Sequence, residues 1–245
     1  LLNAYGMNGI AQTLDVGSPF SYPEQGMLYI PNHPFPAPVG KDRTEHTVAM
    51  MEEIKDLVTA SGGRALLLFT TARDAENTAD YIRQHHPYLN VLKYGEKPAS
   101  SLANEFVKDE TSVLCATMGM WQGVDALGAT CSLVVINKVA FAPPSDVLSN
   151  ARMQNLNDNG GNGFRDIMLA QAAASLAQAA GRLIRSKSDK GVVAILDPRL
   201  HTKGYGRELI GSLPDFNLYT DKETVTAALT RLTGGVEQLD QTKTF

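Results

Sequence analysis

The chain has 245 residues, 43% of them hydrophobic and 20% charged, which supplies enough apolar material for a buried core and excludes a disordered, charge-dominated polymer. A formal net charge of -4 excludes a protein that holds nucleic acid through an overall basic surface. Any such contact must come from local clusters of Arg, Lys and backbone N–H groups. No apolar stretch approaches the ~20 residues of a membrane span, no secretory signal is visible, and a cytoplasmic location with no membrane contact is expected. The chain opens on Leu1 rather than Met and is expected to be a fragment.

In chain order, Met27–Ile30 reads as a strand, and Pro31–Gly40, with four prolines, as an extended surface connection. Thr47–Ala60 reads as an amphipathic helix with Val48, Met51, Ile54 and Val58 on one face, stopped by Gly62-Gly63. Strand Ala65–Thr70 precedes helix Ala72–His86, which carries Ala75, Ala79 and Ile82 and stops at Pro87. His85-His86 reads as an exposed helix end rather than a metal pair. Strand Val91–Tyr94 and helix Ser100–Lys108, pairing Leu102 with Phe106, come next, then strands Val113–Thr117 and Leu133–Asn137. Pro143–Arg165 contains the amide- and glycine-rich run Asn157–Gly163 and reads as a mobile loop. Helix dominates Leu169–Arg185, a strand follows at Val192–Leu196, and the polar tail after Gly234 is expected to fray.

Several of these strands are continuous Val/Ile/Leu runs, as in strands buried on both faces. Their alternation with helices predicts an α/β fold, a parallel sheet with helices on both faces. With no internal repeat and no second hydrophobic core, residues 1–245 read as a single domain. Cys115 and Cys131 lie in apolar runs and read as buried thiols of a reducing compartment. Two cysteines cannot supply the four ligands an iron–sulfur cluster normally takes.

Three segments can carry chemistry, since ligands of open parallel sheets sit beyond the C-terminal strand ends. Thr70 and Thr71 end one strand; Thr71 can be a plain helix cap, with Asp74 three residues on, or part of a phosphate contact at the helix start. Thr117–Asp125 holds Gly119, Gly123 and Asp125; it is either a ligand loop or a tight connection anchored by Trp121, the only tryptophan. Leu169–Arg185 reads LAQAAASLAQAAGRLIR. Leu169, Ala173, Leu176, Ala180 and Leu183 form an apolar stripe, while Gln171, Ser175, Gln178, Arg182 and Arg185 share another helical face. Two arginines near Gln178 and Gly181 are either a planar donor array for phosphate oxygens or a solvated cationic helix end. No G-x-x-x-x-G-K-[ST], G-x-G-x-x-G after a strand, HExxH or zinc spacing is present, and no metal site is expected in this chain.

These segments resemble, in order, the second motor domain of DinG/XPD-type helicases of superfamily two, nearest the bacterial DinG-like branch. Gly17–Tyr22 and Leu28–Pro31 resemble the family's entry into that domain, Leu66–Thr71 its motif four, and Gly119–Asp125 its motif five. Phe141–Asp146 with Ala151-Arg152 resembles the stretch that follows. Gln178–Arg185 matches the Q-x-x-G-R-x-I-R of motif six, and Asp197–Arg199 the D-x-R after it. Gln122 departs from the usual Glu of motif five.

The resemblance implies a RecA-like parallel-sheet sandwich. It further implies ATP with Mg²⁺ bound mainly by a first RecA-like domain of the same polypeptide, which in many members carries an iron–sulfur cluster. By motif, Arg185 is the arginine finger, Arg182 assists it, and Gln178 contacts phosphate or the catalytic water. Gly123, Asp125 and Gly181 line the nucleotide cleft, and Thr70 and Thr71 contact the phosphates of single-stranded DNA. A monomer is expected. The competing expectation is a non-catalytic RecA-like module for nucleic-acid binding or interaction, with vestigial motifs.

Overall fold

A computed structural model describes residues 14, 17–32, 35–119 and 131–235. The predicted alternation becomes one sheet whose described strands are β1 (Gly26–Tyr29), β2 (Ala65–Phe69), β3 (Asn90–Lys93), β4 (Ser112–Thr117), β5 (Leu133–Ile136), β6 (Gly191–Ile195) and β7 (Asn217–Tyr219). Their order is β3-β4-β2-β5-β6-β1-β7, and every pairing is parallel. Six of the seven were predicted to within a residue at each end. The seventh, β7, was not: it is three residues long, at the sheet edge, with Asn217 and Leu218 exposed.

Side chains alternate along a strand. In β2, Leu66 and Leu68 therefore join one apolar layer, and Ala65, Leu67 and Phe69 the other. The first layer also holds Leu102 and Phe106 of α4 (Ala99–Lys108), Leu176 and Ala180 of α6 (Ala170–Ala180), Leu200 of α7 (Arg199–Thr202) and Leu209 of α8 (Gly206–Gly211), with Tyr22 of α1 (Tyr22–Gln25) packed against it. The second holds Met50, Ile54 and Leu57 of α2 (Arg43–Ser61), Ala75, Ala79 and Ile82 of α3 (Ala72–His85), and Val225 and Leu229 of α9 (Lys222–Thr233). Both faces are covered, which is why the central strands read as unbroken hydrophobic runs. Cys115 and Cys131 are both buried and unbridged, and burial pushes each thiol up to about 12.

Four expectations need correction. The buried face of α2 is Met50, Ile54, Leu57 and Val58, while Val48 is exposed. Glu53 masked the true face, because it is buried there by pairing: Tyr29 donates to it at 2.5 Å and Lys222 lies at 3.3 Å. His86 is buried, not an exposed helix end; its ring meets the hydroxyls of Thr59 at 3.0 Å and Tyr88 at 2.7 Å. Much of the predicted loop 143–165 is helix α5 (Val147–Asp158), started by Asp146, whose carboxylate caps Ser149 N–H at 3.1 Å. Finally, the helix over 169–185 is shorter than predicted. A π-helical turn at Phe164–Leu169 leads into α6, which ends at Ala180.

Candidate functional site

At the C-terminal edge of the sheet, β2 runs out into Thr70 and Thr71, β4 into Met118-Gly119, β5 into Asn137–Phe141, and β6 into Leu196–Arg199. Thr71 is the N-cap of α3, its hydroxyl accepting Asp74 N–H at 3.1 Å. The Asp74 carboxylate pairs with Lys138 at 3.3 Å instead of closing a capping box, and so ties the exit of β5 to α3. Thr70 N–H donates to the Asn137 side-chain oxygen at 3.2 Å. Thr70 Oγ1 and Asn137 Nδ2 are themselves buried with no hydrogen-bond partner.

Beside them lies a compact ionic joint that sequence reasoning did not single out as a site. The Asp197 side chain is fully buried. It accepts Val139 N–H at 2.8 Å and Arg199 Nη2 at 2.6 Å through Oδ2, and Arg199 N and Nε at 3.0 and 2.9 Å through Oδ1. Arg199 also donates to Val139 O at 3.2 Å and lies 5.2 Å from the Phe141 ring centre. Phe141 in turn stacks on Phe164 at 6.0 Å and meets Tyr205 edge-on at 5.7 Å. The exits of β5 and β6 are thereby fixed to each other. The signal in the sequence was the D-x-R spacing of Asp197–Arg199, but its partner Val139 is 58 residues away.

Gln178 sits on the exposed side of α6, beside a groove of about 700 Å³ shared with Gln171, Ser175 and Phe141. Beyond Ala180 the chain leaves the helix. Gly181 has φ −65° and ψ −4°, and the amides of Arg182 and Leu183 close tight bonds on Ala179 and Ala180 carbonyls at 3.2 and 3.3 Å. Arg182 and Arg185 therefore stand on a turn, not on the helical face predicted for them. Leu183 and Ile184 are buried between them, and both arginines are half-buried.

The arginine turn is moored by Asp189, whose Oδ2 accepts the backbone N–H of Arg185 at 2.8 Å and of Ser186 at 2.7 Å. Burial raises the Asp189 carboxyl, but the Ser186 hydroxyl and these two amides outweigh it and hold it below its usual value. The Gln25 side chain donates to the carbonyls of Ser186 and Asp189 at 2.8 and 3.0 Å. Gln25 directly precedes β1, and Leu183 abuts Gly191, the first residue of β6. The turn thus lies at the N-terminal edge of the sheet, opposite Thr70 and Thr71. The predicted site residues form two groups joined by the face of α6, not one cluster beyond the C-terminal strand ends. Gly123 and Asp125, with Trp121 and Gln122, lie outside the described residues.

Among the described residues, no group of three or more His, Cys, Asp or Glu gathers as a metal site, and no helix is long and apolar enough to cross a membrane. Half-buried guanidinium groups on a pinned turn suit phosphate oxygens.

The model of the helicase C-terminal domain family matches residues 54–216. The ATP-dependent helicase DinG of Mycobacterium tuberculosis is 42% identical over 219 residues, covering 89% of this chain and 32% of the relative. The ATP-dependent DNA helicase YoaA of Haemophilus influenzae is 36% identical over 209 residues, covering 85% and 32%. The chain thus spans about a third (32%) of the length of these curated relatives. Among solved structures, S. tokodaii Xpd4 superposes with a TM-score of 0.55 at 15% identity, over 80% of this chain and 38% of that one, which establishes a shared fold. On these matches the chain belongs to the helicase C-terminal domain family, with a RecA-like fold and DinG-type relatives.

Proposed function

We propose that this chain is the second motor domain of an ATP-dependent DNA helicase, which couples ATP hydrolysis to translocation on single-stranded DNA and duplex unwinding. The observation that carries the reading is the turn holding Arg182 and Arg185, fixed by Asp189 and Gln25 at one edge of the sheet. Paired arginines without a phosphate loop are useful to a nucleotide held mainly by another domain. In this reading Arg185 meets the transferring γ-phosphoryl group, Arg182 assists, Gln178 contacts phosphate or the attacking water, and Gly123, Asp125 and Gly181 line the cleft. A first RecA-like domain of the same polypeptide supplies the phosphate loop and the Mg²⁺ ligands.

The C-terminal edge serves the single strand. Thr71 Oγ1 already accepts a cap hydrogen bond, yet its own O–H remains able to donate to a phosphate oxygen. Thr70 is assigned as a second contact beside it, with its Oγ1 buried and without a hydrogen-bond partner before the strand binds.

Two results test this on the chain itself. Purified chain is expected to release no phosphate from ATP above background, with or without single-stranded DNA, because it has no phosphate loop. Steady, DNA-stimulated turnover by this chain would refute the division of labour. It is also expected to bind single-stranded DNA weakly and with little sequence preference, and to lose that binding as salt rises. The net charge of -4 works against a polyanion overall, so binding is weak and rests on local Lys and Arg contacts that salt screens. Tight binding that is indifferent to salt would contradict this reading.

A further inference from the structure

Beside Thr70, the C-terminal edge opens into a cavity of about 330 Å³, within the roughly 300–1,000 Å³ of small-molecule sites. Its walls include Val39, Met118, Val139, Phe141 and Pro143. Two cations line it, Lys138 and Arg199, and each already has a carboxylate: Asp74 at 3.3 Å and Asp197 at 2.6 Å. A cavity whose cations are neutralised offers little to a phosphate. It offers apolar surface and a ring face to something flat and uncharged.

Hydrogen-bonding capacity is also left over next to it, at Thr70, which lines the cavity, and at Asn137, which adjoins Thr70 but does not line it. Thr70 Oγ1 and Asn137 Nδ2 are buried without partners, and the two residues adjoin through the bond from Thr70 N–H to Asn137 Oδ1. A neutral, planar ligand with polar edges matches all three features. Phe141 is braced by Arg199, Phe164 and Tyr205, so the ring is held in place before any ligand arrives.

We propose that this cavity takes one unstacked base of the bound single strand, with Phe141 as its wall. The strand is then gripped by a base as well as by its phosphates. The proposal rests on the reading of the C-terminal edge as the nucleic-acid track.

The test compares the affinity of this chain for an oligothymidylate and for a strand of the same length built entirely of abasic residues, across a range of salt. The abasic strand is expected to bind at least about fivefold more weakly, the lower end of what one stacked base contributes. Because the strands carry the same charge, that ratio is expected to hold while both affinities fall with salt. Phe141→Ala is expected to bring the thymidylate down to the abasic level and leave the abasic strand unchanged. Ala140→Leu, which fills the cavity and leaves the ring in place, is expected to do the same, and it decides the matter if thermal melting shows Phe141→Ala to be unfolded. Equal affinity for the two strands overturns the base pocket and leaves the phosphate track standing. No measurable binding of either strand overturns both.

Discussion

Replacing Arg185 with alanine in the full-length protein is expected to lower ATPase kcat about a thousandfold or more, in line with the ~10³–10⁵ attributed to arginine fingers. Charge on the γ-phosphoryl oxygens grows mostly in the transition state, so a guanidinium acting there changes turnover more than ground-state affinity. Nucleotide Kd is expected to change far less, since in the proposed division of labour a first domain holds most of the phosphates. Arg185→Lys is expected to rescue poorly, because a point ammonium cannot reproduce the planar fork. The structure makes the mutant interpretable. Moorings of the turn include the Arg185 and Ser186 backbone N–H groups on Asp189 and the Gln25 bonds to Ser186 and Asp189, none of which needs the Arg185 side chain. These backbone bonds are available to hold the turn after truncation, and the melting temperature of the variant checks that they do. A cation that merely complements a helix dipole would be worth under about 1 kcal/mol, and α6 already ends at Ala180. Measuring kcat, Kd and melting temperature on the same variant separates the roles: normal turnover would end the arginine-finger assignment.

The sheet was legible because its central strands are buried on both faces, which leaves β2, β4, β5 and β6 as uninterrupted apolar runs. Local chemistry also carried through at Thr71, where the cap appears with the expected geometry. What failed was whatever depends on distant partners. Glu53 disguised the buried face of α2 because Tyr29 and Lys222 satisfy it. His86 is buried by hydroxyls of Thr59 and Tyr88, one of them on another helix. The arginines were found through motif six, but their place could not be read. An Ala-rich run favours helix, and nothing local announces that Gln25, 161 residues from Ser186, anchors the turn at the N-terminal edge. The adjoining of Thr70 and Asn137, 67 residues apart, was equally hidden.

The ionic joint at the C-terminal edge carries the largest stability effect we expect. Asp197→Ala should cost about 3–5 kcal/mol, the usual penalty for breaking a buried pair, seen as a fall of about 6–20 °C in melting temperature for a domain of this size. The cost arises from what is left behind. The Arg199 side chain is only 12% exposed and would lose its counter-charge, while Val139 N–H would be left without the Asp197 carboxylate that accepts it. Asp197→Asn keeps the shape but faces the guanidinium with a neutral amide, so it is expected to recover only part of the loss. Arg199→Lys should also fall short, because one ammonium cannot serve both Asp197 oxygens and Val139 O together. Replacing both partners by apolar residues is expected to be milder than the more damaging single change, since no buried charge is then orphaned. The double-mutant cycle measures that coupling directly. Because Asp197 and Arg199 fix Val139 and brace Phe141, loosening the joint should also weaken single-stranded DNA binding at temperatures where the variant remains folded. If Asp197→Ala melts within about 2 °C of the parent and binds DNA normally, the joint does not hold the exits of β5 and β6 in register, and the proposed base pocket loses its support.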